Sequence, residues 1–216
     1  MRTKTLLLTA ALTAAGALTS MAQVYSVNIV GYINVNVPHG FSILANQLNN
    51  SPDNHLATLF PTPPNGTFVY KFNNASSSYL VDDYDSGWEG DTAGAMTLNP
   101  GEGVFINNPS TAFTATFVGE VQLVSSVSIP LGFSIVSSVI PQSAFLDSMG
   151  YVPANGDFVY QFQNATSTYK VNDYDSGWEG DDGGNPPTPA VGEGFFVKSP
   201  VSGARSWSRT FVVGPP

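Results

Sequence analysis

The sequence predicts an all-β protein made of two tandem, pseudo-symmetric β-sandwich or barrel-like modules with one short helix each. Three observations carry that prediction. Residues Asn65 to Asp91 return at Asn155 to Asp181 with 20 of 27 positions identical, and repetition on this scale marks a duplicated structural unit. Apolar residues between the turns alternate with a period of two, the signature of a half-buried strand. Glycine and proline, 21 and 16 residues, punctuate those short runs as turns.

The first 22 residues read as an export leader. Arg2 and Lys4 precede an apolar run from Leu6 to Leu18, and Ser20-Met21-Ala22 supplies small residues for cleavage before Gln23. A run of 13 residues is too short to span a bilayer, which needs about 20. The expected organisation is a signal peptide over 1–22, a first β module over 23–119 and a second over 120–216. The mature chain is expected to be secreted or in the cell envelope, with no membrane attachment after cleavage.

The modules match element by element. VPHGFSIL (Val37 to Leu44) answers IPLGFSIV (Ile129 to Val136). In FVYKF, Phe68, Tyr70 and Phe72 share one strand face and Val69 and Lys71 the other. Phe158, Tyr160 and Phe162 repeat the arrangement. Asn65-Gly66 and Asn155-Gly156 set turns before those strands. NNASSS and QNATST read as polar hairpin connections, and the sequons at Asn65, Asn74 and Asn164 read as turn chemistry. GEGVFI (Gly101 to Ile106) answers GEGFFV (Gly192 to Val197), and Phe113 and Phe117 answer Trp207 and Phe211. Asp53 or Asn54 is expected to cap one short helix through Leu56 and Leu59, and Ser143 a second through Phe145, Leu146 and Met149. Asp181 to Ala190 reads as a flexible loop. Glu120 to Ile129, which joins the copies, reads as a strand, so the modules are expected to pack as a pair or share a sheet.

Gly-Phe-Ser-Ile followed by Phe-Val-Tyr-x-Phe and Gly-Glu-Gly-x-Phe-Ile/Val resembles a module found in duplicate in uncharacterised exported proteins of environmental bacteria. It covers essentially the whole mature chain. The resemblance implies a β-rich, extracellular protein and no particular activity. Asn46 holds a position of the pattern that is Ser138 in the second copy, which implies that this asparagine is dispensable.

Removal of Arg2 and Lys4 with the leader takes the formal charge from −9 to −11. Phosphate contacts need Lys and Arg, so nucleic acid is excluded as a partner, and an anionic membrane surface with it. There is no cysteine, hence no disulfide and no thiolate metal site. His39 and His55 both fall in the first copy, so no histidine site is shared by the two.

DYDSGWEGD, at Asp83 to Asp91 and again at Asp173 to Asp181, is the candidate site. Ten of the 16 acidic residues lie in or beside these loops, from Asp82 to Asp91 and from Asp173 to Asp182. Three readings stand side by side. In the first, the loops are solvated and Trp88 and Trp178 fold back as hydrophobic plugs. In the second, Asp83, Asp85, Glu89 and Asp91, with Asp173, Asp175, Glu179 and Asp181, present hard oxygens to Ca²⁺. The EF-hand pattern fails, because Trp88 or Trp178 stands where its glycine belongs. In the third, Tyr84 and Trp88, with Tyr174 and Trp178, stack on a sugar while Asp85, Glu89, Asp175 and Glu179 bind its hydroxyls.

Asp85 and Glu89 match a glycosidase pair only by residue type, and no other catalytic constellation is present, so the protein is not expected to be an enzyme and no obligatory cofactor is implied. The expected role is structural, surface or adhesion-type, in a bacterial envelope or matrix. The alternative is a carbohydrate-binding accessory protein, calcium-supported or not. Glycan binding and self-assembly are the partner classes left open. The leader makes a direct prediction: the intact mass of the exported product corresponds to Gln23 to Pro216, 194 residues, and a product that keeps Met1 to Ala22 contradicts it.

Overall fold

A computed structural model describes residues 29–203 and 205–212; the leader predicted over 1–22 lies outside them. Two halves of the same topology follow one another. The first contains β1 (Val30–Val37), β2 (Gly40–Ala45), α1 (Leu56–Leu59), β3 (Thr67–Asn73), β4 (Ser78–Tyr84), β5 (Trp88–Gly90), β6 (Gly103–Asn108) and β7 (Phe113–Glu120). The second contains β8 (Val124–Ile129), β9 (Gly132–Val136), a 3-10 turn (Asp147–Met149), β10 (Asp157–Gln163), β11 (Thr168–Tyr174), β12 (Trp178–Gly180), β13 (Phe195–Ser199) and β14 (Arg205–Thr210).

In each half a five-stranded sheet packs against a two-stranded ribbon. The sheet orders are β2-β6-β3-β4-β5 and β9-β13-β10-β11-β12, and the ribbons are β1-β7 and β8-β14. Every pairing is antiparallel. Neither half is a closed barrel, so of the two predicted architectures the sandwich is the one formed. The predicted helices shrink to one α turn in the first half and one 3-10 turn in the second. Their caps differ from expectation. His55 and Leu146 hold the N-cap positions without a side-chain bond. Asp53 instead accepts the His55 amide, and Asn54 is drawn into a buried network with Asn46.

The pleat assigns one face of each sheet to its own ribbon. Val69, Val104 and Ile106 meet Ile33, Val37, Ala115 and Phe117 in the first core. Val159, Phe195 and Val197 meet Ile129 and Trp207 in the second. The opposite face carries the alternate residues, Phe68, Tyr70 and Phe72 among them. It is covered in part by the equivalent face of the other half. Ile43, Ile135 and Phe196 are buried there, with Phe72, Phe105, Tyr160 and Phe162 packed around them. The layers therefore run ribbon, sheet, sheet, ribbon, with Val69 and Val159 buried on the ribbon side of the aromatic strands.

The halves keep separate sheets and are joined by reciprocal contacts. Single bridges link Leu44 to Glu193 and Glu102 to Val136. The Ala45 amide donates to the Gly192 carbonyl, and the Ser137 amide to that of Gly101, both at 2.9 Å. Asn74 Nδ2 donates to the carbonyls of Leu131 and Phe133, and Asn164 Nδ2 to those of His39 and Phe41, at 2.7–2.9 Å. The hairpin connections thus clamp each half onto the start of β9 or β2 in the other.

The Gly-Glu-Gly turns lie in the same seam. A methyl group on Gly103 would stand 2.5 Å from Ile135, and one on Gly194 2.8 Å from both Ile43 and the Leu44 carbonyl. Only a hydrogen fits at either place. Gly194→Ala should therefore cost about 1–3 kcal/mol through overpacking. Gly87→Ala, whose new methyl meets nothing within 4 Å, should change stability little. Urea unfolding of the two variants checks this; equal midpoints would mean that the seam does not hold the halves together.

Candidate functional site

The acidic hairpins are the outermost strand pair of each sheet. Tyr84 faces Trp88, Asp83 faces Glu89 and Asp82 faces Gly90 across β4 and β5, and the second half repeats this register. The turn is held from below. Asn65 Oδ1 accepts the Ser86 amide at 3.1 Å, Asn155 Oδ1 accepts that of Ser176 at 3.0 Å, and Ser86 and Ser176 both adopt positive φ. The Asn-Gly turns before β3 and β10 therefore shape the loops one strand away.

Alternation along the hairpin turns the aromatic residues inward. Trp88 Nε1 donates to the Phe60 carbonyl at 3.0 Å, and Trp178 Nε1 to Asp147 Oδ1 at 2.9 Å. Trp178 is 7% exposed, and Trp88 packs on the edge of the first core. Tyr84 and Tyr174 meet their tryptophans edge-on at 5.5 and 5.4 Å. Trp88, Trp178 and Tyr174 thus pack against their own cores, and Tyr84 packs on Trp88. Asp83 and Glu89, with Asp173 and Glu179, point to the other face as cross-strand pairs, while Asp85 and Asp175 sit in the turns.

Asp91 and Asp181, two of the calcium candidates, already serve as backbone acceptors: their Oδ2 atoms take the amides of Val81 and Val171 at 2.8 Å. Each carboxylate adds one rung to the ladder beyond the end of the strand. Among the described residues no group of three or more His, Cys, Asp or Glu side chains gathers in a metal-holding arrangement. The structure brings the carboxylates together in twos, not in fours.

Next to each hairpin lies a buried polar pair that differs between the halves in a compensated way. Asp82 is fully buried and accepts the Thr92 amide at 2.7 Å, the Thr92 hydroxyl, and the Gly94 amide at 2.9 Å. In the second half the charge has crossed the bond: Asn172 Nδ2 donates to Asp182 Oδ2 and its Oδ1 accepts the Asp182 amide, both at 2.9 Å. A buried carboxylate is tolerated where donors surround it, and either arrangement supplies them.

A second feature stands apart from the loops. On the aromatic face of the first sheet, Phe41, Tyr70, Tyr79 and Phe105 join Phe162 and Ser167 of the second half around an open groove of about 500 Å³. Phe41 and Phe105 meet edge-on at 6.1 Å, Tyr70 and Tyr79 at 6.3 Å, and Phe105 and Phe162 at 5.5 Å. Burial raises the Tyr70 hydroxyl above its usual range, with Asp83 adding to the effect, and burial alone raises that of Tyr79. The sequence carried a signal for this surface: Phe68, Tyr70 and Phe72 make one face of the strand wholly aromatic, while the other face bears Val69 and Lys71.

The Asp82 pair yields a double-mutant prediction. Asp82→Asn alone should cost about 1–3 kcal/mol, because amide donors face a weaker acceptor. Adding Thr92→Asp, which rebuilds the pair of the second half, should restore most of the loss in urea unfolding; strictly additive effects would show that the pair is not a unit. Comparison with protein-family models, curated proteins and solved structures gives no match for this chain.

Proposed function

We propose that this chain is a secreted, non-catalytic structural or adhesion-type protein of a bacterial envelope or matrix. One observation carries the reading: the segments that recur in both halves are engaged in packing the two halves into a single body. The Gly-Glu-Gly turns fill the seam, Asn74 and Asn164 clamp it, the Asn-Gly turns brace the hairpins, and the hairpins finish the sheets. Glu102 and Glu193, the acids of the Gly-Glu-Gly turns, accept the Asn99 and Ala190 amides at 2.7 Å and hold Lys71 and Gln161 at 2.9 Å.

The acidic hairpins also fit a surface role. A free sheet edge invites pairing with another chain, and very short, charged edge strands discourage it. β5 and β12 are three residues long and carry Glu89 and Glu179 beside Asp83 and Asp173. The repeated loop supports solubility outside the cell and works against edge-to-edge stacking. The glycan reading through the loops has less support, because it needs a free tryptophan face and Trp178 offers none.

Fractionation and immunogold labelling of the producing cells should place the chain in the envelope or matrix. Deletion of its gene should lower attachment of cells to surfaces, and added purified mature chain should restore it. Recovery of the protein inside the cytoplasm, or attachment unchanged by deletion, would overturn the proposal.

A further inference from the structure

The two halves provide an internal comparison at one position of the aromatic face. In the second half Lys198 on β13 lies between Phe133 on β9 and Phe158 on β10. Its Nζ stands 5.7 and 5.5 Å from the two ring centroids, within the range where an ammonium is attracted to an aromatic face. In the first half the same register places Asn107 between Phe41 and Phe68. Among the described residues no cation stands over either ring; Phe41 and Phe68 are 44% and 36% exposed and Phe133 is 40% exposed, so the halves differ in the cation and not in how far the phenylalanines are open.

Charge on this row favours a cation. Phe68 is the cross-strand partner of Asp83, which faces Glu89 in turn, and the whole chain carries a net charge of −9. Phe68 stacks on Tyr70 at 6.2 Å, and Tyr70 lies 6.1 Å from Phe41. The slot therefore runs directly into the groove of about 500 Å³ lined by Phe41, Tyr70, Tyr79 and Phe105. We infer that the first half binds a lysine-bearing peptide segment of a partner protein, with its ammonium over Phe41 and Phe68 beside Asp83 and a neighbouring apolar side chain in the groove. The second half is self-occupied by Lys198. A peptide fits better than a glycan, because the occupant the molecule already shows is a lysyl side chain and the groove wall is nearly all ring carbon. This site stands independently of the adhesion reading, which concerns the cell and not the ligand.

The test uses the ¹⁵N-labelled mature chain and the peptide acetyl-Gly-Pro-Lys-Leu-Gly-amide, followed by amide shifts in NMR. Saturable shifts are expected at Phe41, Phe68 and Asn107, with one site per chain. Norleucine in place of the peptide's lysine should weaken binding at least about threefold, the scale of an exposed cation–π contact. Asn107→Lys, which installs the ammonium of the second half, should weaken it by a similar factor or more while spectra elsewhere show an intact fold. Lys198→Asn should open a second site at Phe133 and Phe158. Equal binding of the norleucine peptide, insensitivity to Asn107→Lys, or no second site in Lys198→Asn would overturn the inference. So would the absence of any saturable shift, or shifts of the same amides by an N-acetylglucosamine hexamer and not by the peptide.

Discussion

The packing of two aromatic sheet faces across the seam is the constraint on which the rest depends. Each half of fewer than 100 residues has a ribbon to cover one side of its sheet and nothing of its own to cover the other. Small domains bury a modest fraction of their surface and are marginal for that reason. With no cysteine, no covalent staple is available. Facing the sheets solves both problems, because the apolar surface that one half leaves open is the surface the other needs. The close approach explains why Gly103 and Gly194 lack side chains. It also explains why the hairpin connections carry asparagine, whose amide can donate to two carbonyls of the opposing strand.

The duplicated units were legible because a repeat is independent of context, and the strands were legible because the pleat imposes a period of two. What escaped sequence reading has a common physical cause: it lies in contacts between residues far apart in the chain. Asn74 lies 57 residues from Leu131, and nothing local distinguishes a turn asparagine from one that clamps a second module. Asn46 is a similar case. Its replacement by Ser138 in the second copy suggested a dispensable residue, yet Asn46 is fully buried and bonds Asn54 and the Leu98 carbonyl while accepting the Leu48 amide. Ser138 keeps the last of these roles by accepting the Ile140 amide. The cap of α1 is not legible locally, because Asp53 accepts the amide of His55, the N-cap residue itself, and Asn54 is taken up by Asn46. The acidic loops were found at once, but their inward and outward faces became visible only with the register of β4 against β5.

Charge is distributed with similar economy. All five Lys and Arg outside the leader are engaged. Lys71 holds Glu102, Lys170 holds Asp182, Arg205 holds Asp157, Lys198 covers two rings, and Arg209 bonds Gln142. Only Arg205 meets a fully buried carboxylate, and there Tyr151 donates to the same Asp157 oxygen at 2.7 Å. Burial, reinforced by that carboxylate, pushes the Tyr151 hydroxyl well above its normal range, so it stays a donor at any physiological pH. The remaining acids lie mainly on hairpins at the sheet edges, where solvent screens them and where repulsion between molecules does the most to keep edges apart.

Differences between the halves separate structural drift from a change of use. Several buried or bonded positions differ between the halves in ways their surroundings accommodate. Asp82 with Thr92 becomes Asn172 with Asp182. Lys71 on Glu102 becomes Gln161 on Glu193. Thr67 becomes Asp157, and Arg205 arrives to meet it. In the first two cases a bond survives the exchange, as expected when an unpaired buried group would cost more than the original bond contributed; in the third, the Thr67 hydroxyl has no partner among the described residues and Asp157 gains one. Asn107 and Lys198 differ in another way. The rings on either side are phenylalanine in both halves, the acids beyond them are the same, and one half supplies a cation that the other does not. Among the described residues the first half has no cation there, and its surface at that place is acidic, aromatic and continuous with the groove.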